Sequence, residues 1–93
     1  MNCELCGREI VDGYESNHHL IPKASGGLHG PISVLHLVCH KQIHALFTNK
    51  ELYMFYNTIN KLKAHRDVKR FIKWVSKKPI NFDNKTRIRK RNR

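Results

Sequence analysis

At 93 residues the chain is long enough for one small domain and too short for two cores of ordinary size. Eighteen Lys plus Arg against seven Asp plus Glu leave a formal charge of +11, which points to a polyanionic partner, nucleic acid or an acidic membrane surface, ahead of acidic small molecules and acidic proteins. Three cysteines exclude a closed disulfide framework. No apolar run approaches the roughly 18 residues that span a bilayer, and the opening Met1-Asn2-Cys3-Glu4 lacks the pattern of a secretory signal. The expectation is a cytoplasmic, soluble protein with no membrane contact, whose free thiols bind metal and so staple a core too small to stand alone.

In chain order, Cys3-Glu4-Leu5-Cys6 is a Cys-x2-Cys knuckle, and Gly7 after it supplies the tight turn that aims two thiolates at one ion. His18-His19 follows, then the loop Pro22-Lys23-Ala24-Ser25-Gly26-Gly27. The alternation in Ile32-Ser33-Val34-Leu35-His36-Leu37-Val38 predicts a short strand. A helix from about His40 to Phe47 is predicted next, with Ile43, Leu46 and Phe47 on one face and His40 and His44 together on another.

Thr48-Asn49-Lys50-Glu51 has the form of a capping box and predicts a helix start. Leu52, Phe55, Tyr56, Ile59 and Leu62 follow at spacings of three and four, so they are expected to form one core-facing stripe. Val68, Phe71, Ile72 and Val75 repeat the spacing, and Pro79 ends the run. The expectation is two helices in a hairpin around His65, with Tyr53, Tyr56 and Trp74 in the core; base-stacking platforms are the other use of such rings. From Lys77 onward eight basic residues oppose Asp83 alone, carrying +7 of the +11. Residues 81–93 read as a basic tail whose Lys85, Arg87, Arg89, Lys90, Arg91 and Arg93 are placed to follow a phosphate backbone; a merely solvated run is the other reading.

Two pairs can complete a tetrahedron with Cys3 and Cys6. His36-x2-Cys39 repeats the x2 spacing, whereas His40-x3-His44 would resemble a zinc finger but lies far beyond finger spacing and leaves His36 and Cys39 without a role. Cys3, Cys6, His36 and Cys39 are therefore the expected structural zinc ligands. His18, His19, His40 and His44 remain as a second set. Two histidines at i and i+4 can grip one ion, one of the doublet can complete a three-ligand shell open to water and substrate, and its neighbour can serve as a base.

This order resembles the HNH endonucleases, whose ββα-metal fold runs from a histidine doublet ending a first strand, through a Gly-containing loop and a second strand, to a helix carrying metal-binding histidines. The match rests on His18-His19-Leu20-Ile21-Pro22-Lys23-Ala24-Ser25-Gly26-Gly27 and Cys39-His40-Lys41-Gln42-Ile43-His44 and covers about residues 3 to 47; the run from Glu51 to Val75 looks like the tail of small stand-alone members. The resemblance implies an α+β fold: a single domain over residues 1–80 with a ββα-metal core (3–47) and a helical extension (48–78). It implies His18, His40 and His44 as ligands of a catalytic Mg2+, Mn2+, Ni2+ or Zn2+, and His19 as the general base. The family's middle Asn or His, which orients the base, has no Asn counterpart between His19 and His40; His29, Ser33 and His36 are the candidates.

The implied activity is endonucleolytic hydrolysis of DNA, double-stranded and with little sequence preference, leaving a 5′-phosphate and a 3′-hydroxyl. Lys23 and Lys41 flank the histidines and are placed to position phosphate. The competing reading is a non-catalytic, zinc-stabilised nucleic-acid-binding module, and a third is an RNA-directed or ribosome-associated protein.

Overall fold

The computed structural model describes residues 1–23, 26–27 and 29–82. Those residues form a small α+β fold with one two-stranded sheet and four helices: β1 (Glu15–His19), β2 (Ile32–His36), α1 (Leu37–Leu46), α2 (Asn49–Met54), α3 (Ile59–Ala64) and α4 (Arg66–Val75). The tail residues Lys85, Arg87, Arg89, Lys90, Arg91 and Arg93 lie outside the described part of the chain. No described helix is long and apolar enough to cross a membrane.

The two strands pair antiparallel, with Ser16 opposite Leu35, His18 opposite Ser33 and His19 opposite Ile32. Alternation along β1 puts Ser16 and His18 on one face and Asn17 and His19 on the other. Between the strands, the described residues Pro22 and Gly27 come together. The Gly27 amide donates to the Pro22 carbonyl at 3.1 Å, and a Cβ on Gly27 would collide with the Ile21 carbonyl, so the second glycine of the pair is required by close backbone approach.

The predicted strand over 32–38 is shorter than expected, because the chain turns helical at Leu37, three residues before the expected helix start. His36 caps α1 with extended backbone and no side-chain capping bond. The Leu37 amide, one of the orphan donors of a helix start, instead reaches the Tyr14 carbonyl at 2.9 Å. This bond lets a strand feed directly into a helix, and it brings Cys39 and His40 beneath the hairpin.

Thr48 and Glu51 form the reciprocal capping box at the start of α2. The single stripe expected over Leu52–Leu62 is two helices, however. The chain leaves the helix after Met54, the Asn57 side chain takes the Tyr53 carbonyl at 3.0 Å, and Thr58 starts α3 by accepting from the Lys61 amide. Leu52 and Leu62 are buried, but Phe55 and Tyr53 are exposed, so neither packs in the core as expected. Tyr56 and Trp74 do pack against it. His65 ends α3 and caps α4, its Nδ1 accepting from the Asp67 amide at 3.0 Å while its ring meets Phe47 and Tyr56 edge-on. Val68, Phe71 and Val75 carry the α4 stripe into a core shared with Leu35, Val38, Ile43 and Leu5.

Candidate metal centres

α1 serves two clusters of metal-ligating side chains. Cys39 and His40 are adjacent, and the helical turn of about 100° per residue aims them at different neighbours. Cys39 joins Cys3, Cys6 and His36; His40 joins His18 and His44. Within each group the ligand atoms lie within 4.8 Å of one another.

The cysteine cluster is built by its knuckle. Gly7, at φ 81°, closes the turn with its amide on the Cys3 carbonyl at 2.8 Å, and the amides of Cys6 and His36 point at the Cys3 sulfur at 3.5 and 3.3 Å. The Cys6 sulfur lies 3.4 Å from His36 Nδ1. Cys3, His36 and Cys39 are buried and Cys6 is half-buried. Hydrogen bonds from Cys3, then Cys39, hold the Cys6 thiol far below its ordinary range, with Arg8 adding to the effect. Bonds to Cys3 and Cys6, with burial, push the Cys39 thiol up. A cluster in which one sulfur is held as thiolate against its neighbours fits a soft divalent ion, which deprotonates all three. Three thiols and one imidazole in a closed, tetrahedron-like group can hold a structural metal such as zinc.

Arg8 was not singled out by sequence. Its Nε donates to the Cys6 sulfur at 3.4 Å, and its Nη1 donates to the Lys78 and Pro79 carbonyls at 2.9 Å each. The guanidinium fork thus ties the knuckle to the chain just beyond α4, a contact across 70 residues that no local pattern reports.

The histidine cluster differs in every respect. His18 is completely buried, yet neither of its ring nitrogens has a hydrogen-bond partner among the described residues. The rings of His40 and His44 stand 5.1 and 5.5 Å from it, centroid to centroid. His40 Nε2 and His44 Nε2 are 3.1 Å apart, close to the about 3.3 Å edge of a tetrahedron with Zn–N bonds of 2.0–2.1 Å. Burial, followed by the neighbouring imidazoles, lowers His18 and His40 to about 4 each, and burial lowers His44 as well. All three rings are therefore neutral near pH 7, the form that ligates. The donor set fits a divalent ion, and the buried, unpartnered nitrogens of His18 are costly without one.

His19, half-buried at the end of β1, does not join this group. It lines an open cleft of about 480 Å³ together with Asn17, Pro22, Lys23, His40, His44 and Asn49. The base expected from sequence and two of the expected ligands thus face one space, and Lys23 stands on its wall. Lys41 is half-buried on α1 and does not line that cleft. Of the three candidates for the missing Asn, His29 is exposed, His36 belongs to the cysteine cluster, and Ser33 is buried opposite His18 with its hydroxyl unpartnered among the described residues. Asn17 and Asn49 line the cleft and were not expected there. Asn17 had a readable signal, since two residues' separation from His19 within a strand places both on one face.

No protein-family model matches the chain, and no solved structure matches it. Among curated proteins it is similar to one from Bacillus subtilis (strain 168) that carries the name "Uncharacterized protein YisB". The two are 48% identical over 77 residues, which cover 83% of this chain and 75% of that protein.

Proposed function

The chain belongs to the family of Bacillus subtilis YisB, and we propose that it is a metal-dependent endonuclease of the HNH type acting on DNA. The observation that carries this reading is His18: a fully buried imidazole with both nitrogens unpartnered among the described residues, faced by His40 and His44, beside a cleft on which His19 opens. A structural site would be closed by a fourth protein ligand, as the cysteine cluster is. Three histidines, two of which line a cleft, leave positions for water and phosphate.

A divalent ion held by His18, His40 and His44 would supply Lewis-acid stabilisation of the charge that gathers on the scissile phosphate. His19 accepts a proton from the attacking water, a task that an imidazole can perform as general base. Water's oxygen bonds to phosphorus, the bond from phosphorus to the 3′ oxygen breaks, and that oxygen takes up a proton from solvent water, leaving a 5′-phosphate and a 3′-hydroxyl. Lys23 on the cleft wall draws the phosphate in. The net charge of +11 supports a polyanionic substrate bound with little sequence preference. Residues 84–93 add counterion release, so their deletion is expected to flatten the slope of log K against log salt while leaving cleavage at saturating DNA nearly intact.

The test is incubation of the zinc-loaded protein with supercoiled plasmid and a series of divalent ions. Nicked circles that form only with added ion support the proposal. Salt-sensitive DNA binding with no nicking across the series would favour the non-catalytic zinc module instead.

A further inference from the structure

The strand face that carries His18 also carries Ser16, whose hydroxyl oxygen lies 2.6 Å from His40 Nδ1. This is the shortest side-chain bond among those around either cluster, and it joins β1 to α1 across 24 residues. We propose that Ser16 is a positioning residue that fixes His40 as an Nε2 ligand by accepting a hydrogen bond from its Nδ1–H. The inference rests on the reading of His18, His40 and His44 as a metal site.

An imidazole offers a lone pair on one nitrogen only when its hydrogen sits on the other. His40 Nε2 faces His44 Nε2 at 3.1 Å, so Nε2 is the nitrogen aimed at the place the three rings share. If Ser16 donated to a bare Nδ1, the ring hydrogen would sit on Nε2, pointing into that place and blocking ligation. With Nδ1–H donating to the Ser16 oxygen, the Nε2 lone pair is free. The serine hydroxyl allows both directions, and only the second is compatible with an ion. The bond also fixes the rotation of the His40 ring, which is half-buried on a helix face and has no other partner for Nδ1 among the described residues. Such outer partners of ligating histidines set ring orientation and basicity, and their loss typically weakens metal binding about 10- to 100-fold.

Ser16→Ala removes the acceptor, whereas Ser16→Thr keeps a hydroxyl on a residue that suits a strand. The experiment is calorimetric titration of Co2+ into protein whose cysteine cluster is already filled with zinc, with circular dichroism to check the fold. Wild type is expected to take one Co2+ per chain. Ser16→Ala is expected to bind it about ten-fold or more weakly with an unchanged spectrum, and Ser16→Thr to bind within about three-fold of wild type. A second readout is the ring nitrogen resonances of His40 with Zn2+ in both sites: a slowly exchanging Nδ1–H in wild type and Ser16→Thr, and a fast-exchanging one in Ser16→Ala. Equal Co2+ affinity in Ser16→Ala, or zinc on Nδ1 of His40, overturns the inference while the metal reading stands. If wild type takes no second ion, the metal reading fails and this inference fails with it.

Discussion

The two clusters that α1 serves share a helix and little else. The cysteine cluster has four candidate ligands, three of them buried, two backbone amides aimed at the Cys3 sulfur and a guanidinium holding it to the chain just beyond α4. The histidine cluster has three ligands graded from buried His18 through half-buried His40 to exposed His44, and it borders a cleft. With a metal such as zinc, the first arrangement would spend every coordination position on protein and so contribute to folding. On the proposed reading, the second would withhold at least one and so could meet a substrate. Neighbouring residues, Cys39 and His40, belong to opposite designs.

The largest expected effect separates the clusters by mutation. Cys3→Ser or Cys39→Ser is expected to lose the fold, since apparent zinc-binding energies of about 10 kcal/mol exceed what a core this small supplies; His40→Ala and His44→Ala are expected to keep helix content and lose only the second ion. Circular dichroism with a metal assay reads both, and a folded, zinc-retaining Cys39→Ser protein would erase the distinction. Next in size is the base. His19→Ala is expected to lower cleavage by about two orders of magnitude, with DNA binding unchanged and no rescue by extra metal, because the lost function is proton acceptance.

Acid sharpens the comparison further. Histidines titrate near 6.5 in the unfolded chain, whereas His18 and His40 titrate at about 4 in the fold. Between those values the unfolded state binds more protons. The stability they contribute is therefore complete above about pH 6.5 and lost as pH falls toward about 4. Thermal melts without added divalent ion should show this slope, and His18→Leu should flatten it; equal slopes in the two proteins would place the acid sensitivity elsewhere.

Smaller again is Arg8→Ala, which loses the bond to Cys6 and both carbonyl contacts beyond α4. A loss of about 1–3 kcal/mol is expected, with faster zinc transfer to a chelator; Arg8→Lys should not restore it, because one ammonium lacks the fork that reaches sulfur and carbonyls together. Thr48→Ala is expected to cost about 1 kcal/mol through its cap. Tyr53→Ala, at an exposed ring, should change stability by less than about 0.5 kcal/mol.

Local spacing made the donor residues legible: Cys-x2-Cys, His-x2-Cys and His-x3-His are each set by one turn of chain, and the structure gathers them into two groups. The capping box at Thr48 was legible for the same reason. What escaped is what depends on distant chain or on competing local bonds. Leu52, Phe55, Tyr56, Ile59 and Leu62 keep a helical period across a break, because period alone cannot report that Asn57 takes the Tyr53 carbonyl and Thr58 caps anew. Arg8 and Ser16 act across 70 and 24 residues, separations at which sequence spacing carries no information. The early start of α1 depends on the Tyr14 carbonyl, equally remote.

Native mass spectrometry of the intact chain tests the two-centre arrangement most directly. With excess Zn2+ two ions per chain are expected, and after brief exposure to a mild chelator one should remain, with His40→Ala showing a single ion in both conditions. A chain that never holds more than one ion, or that surrenders both together, would contradict the division of α1 between a closed cysteine centre and an open histidine centre.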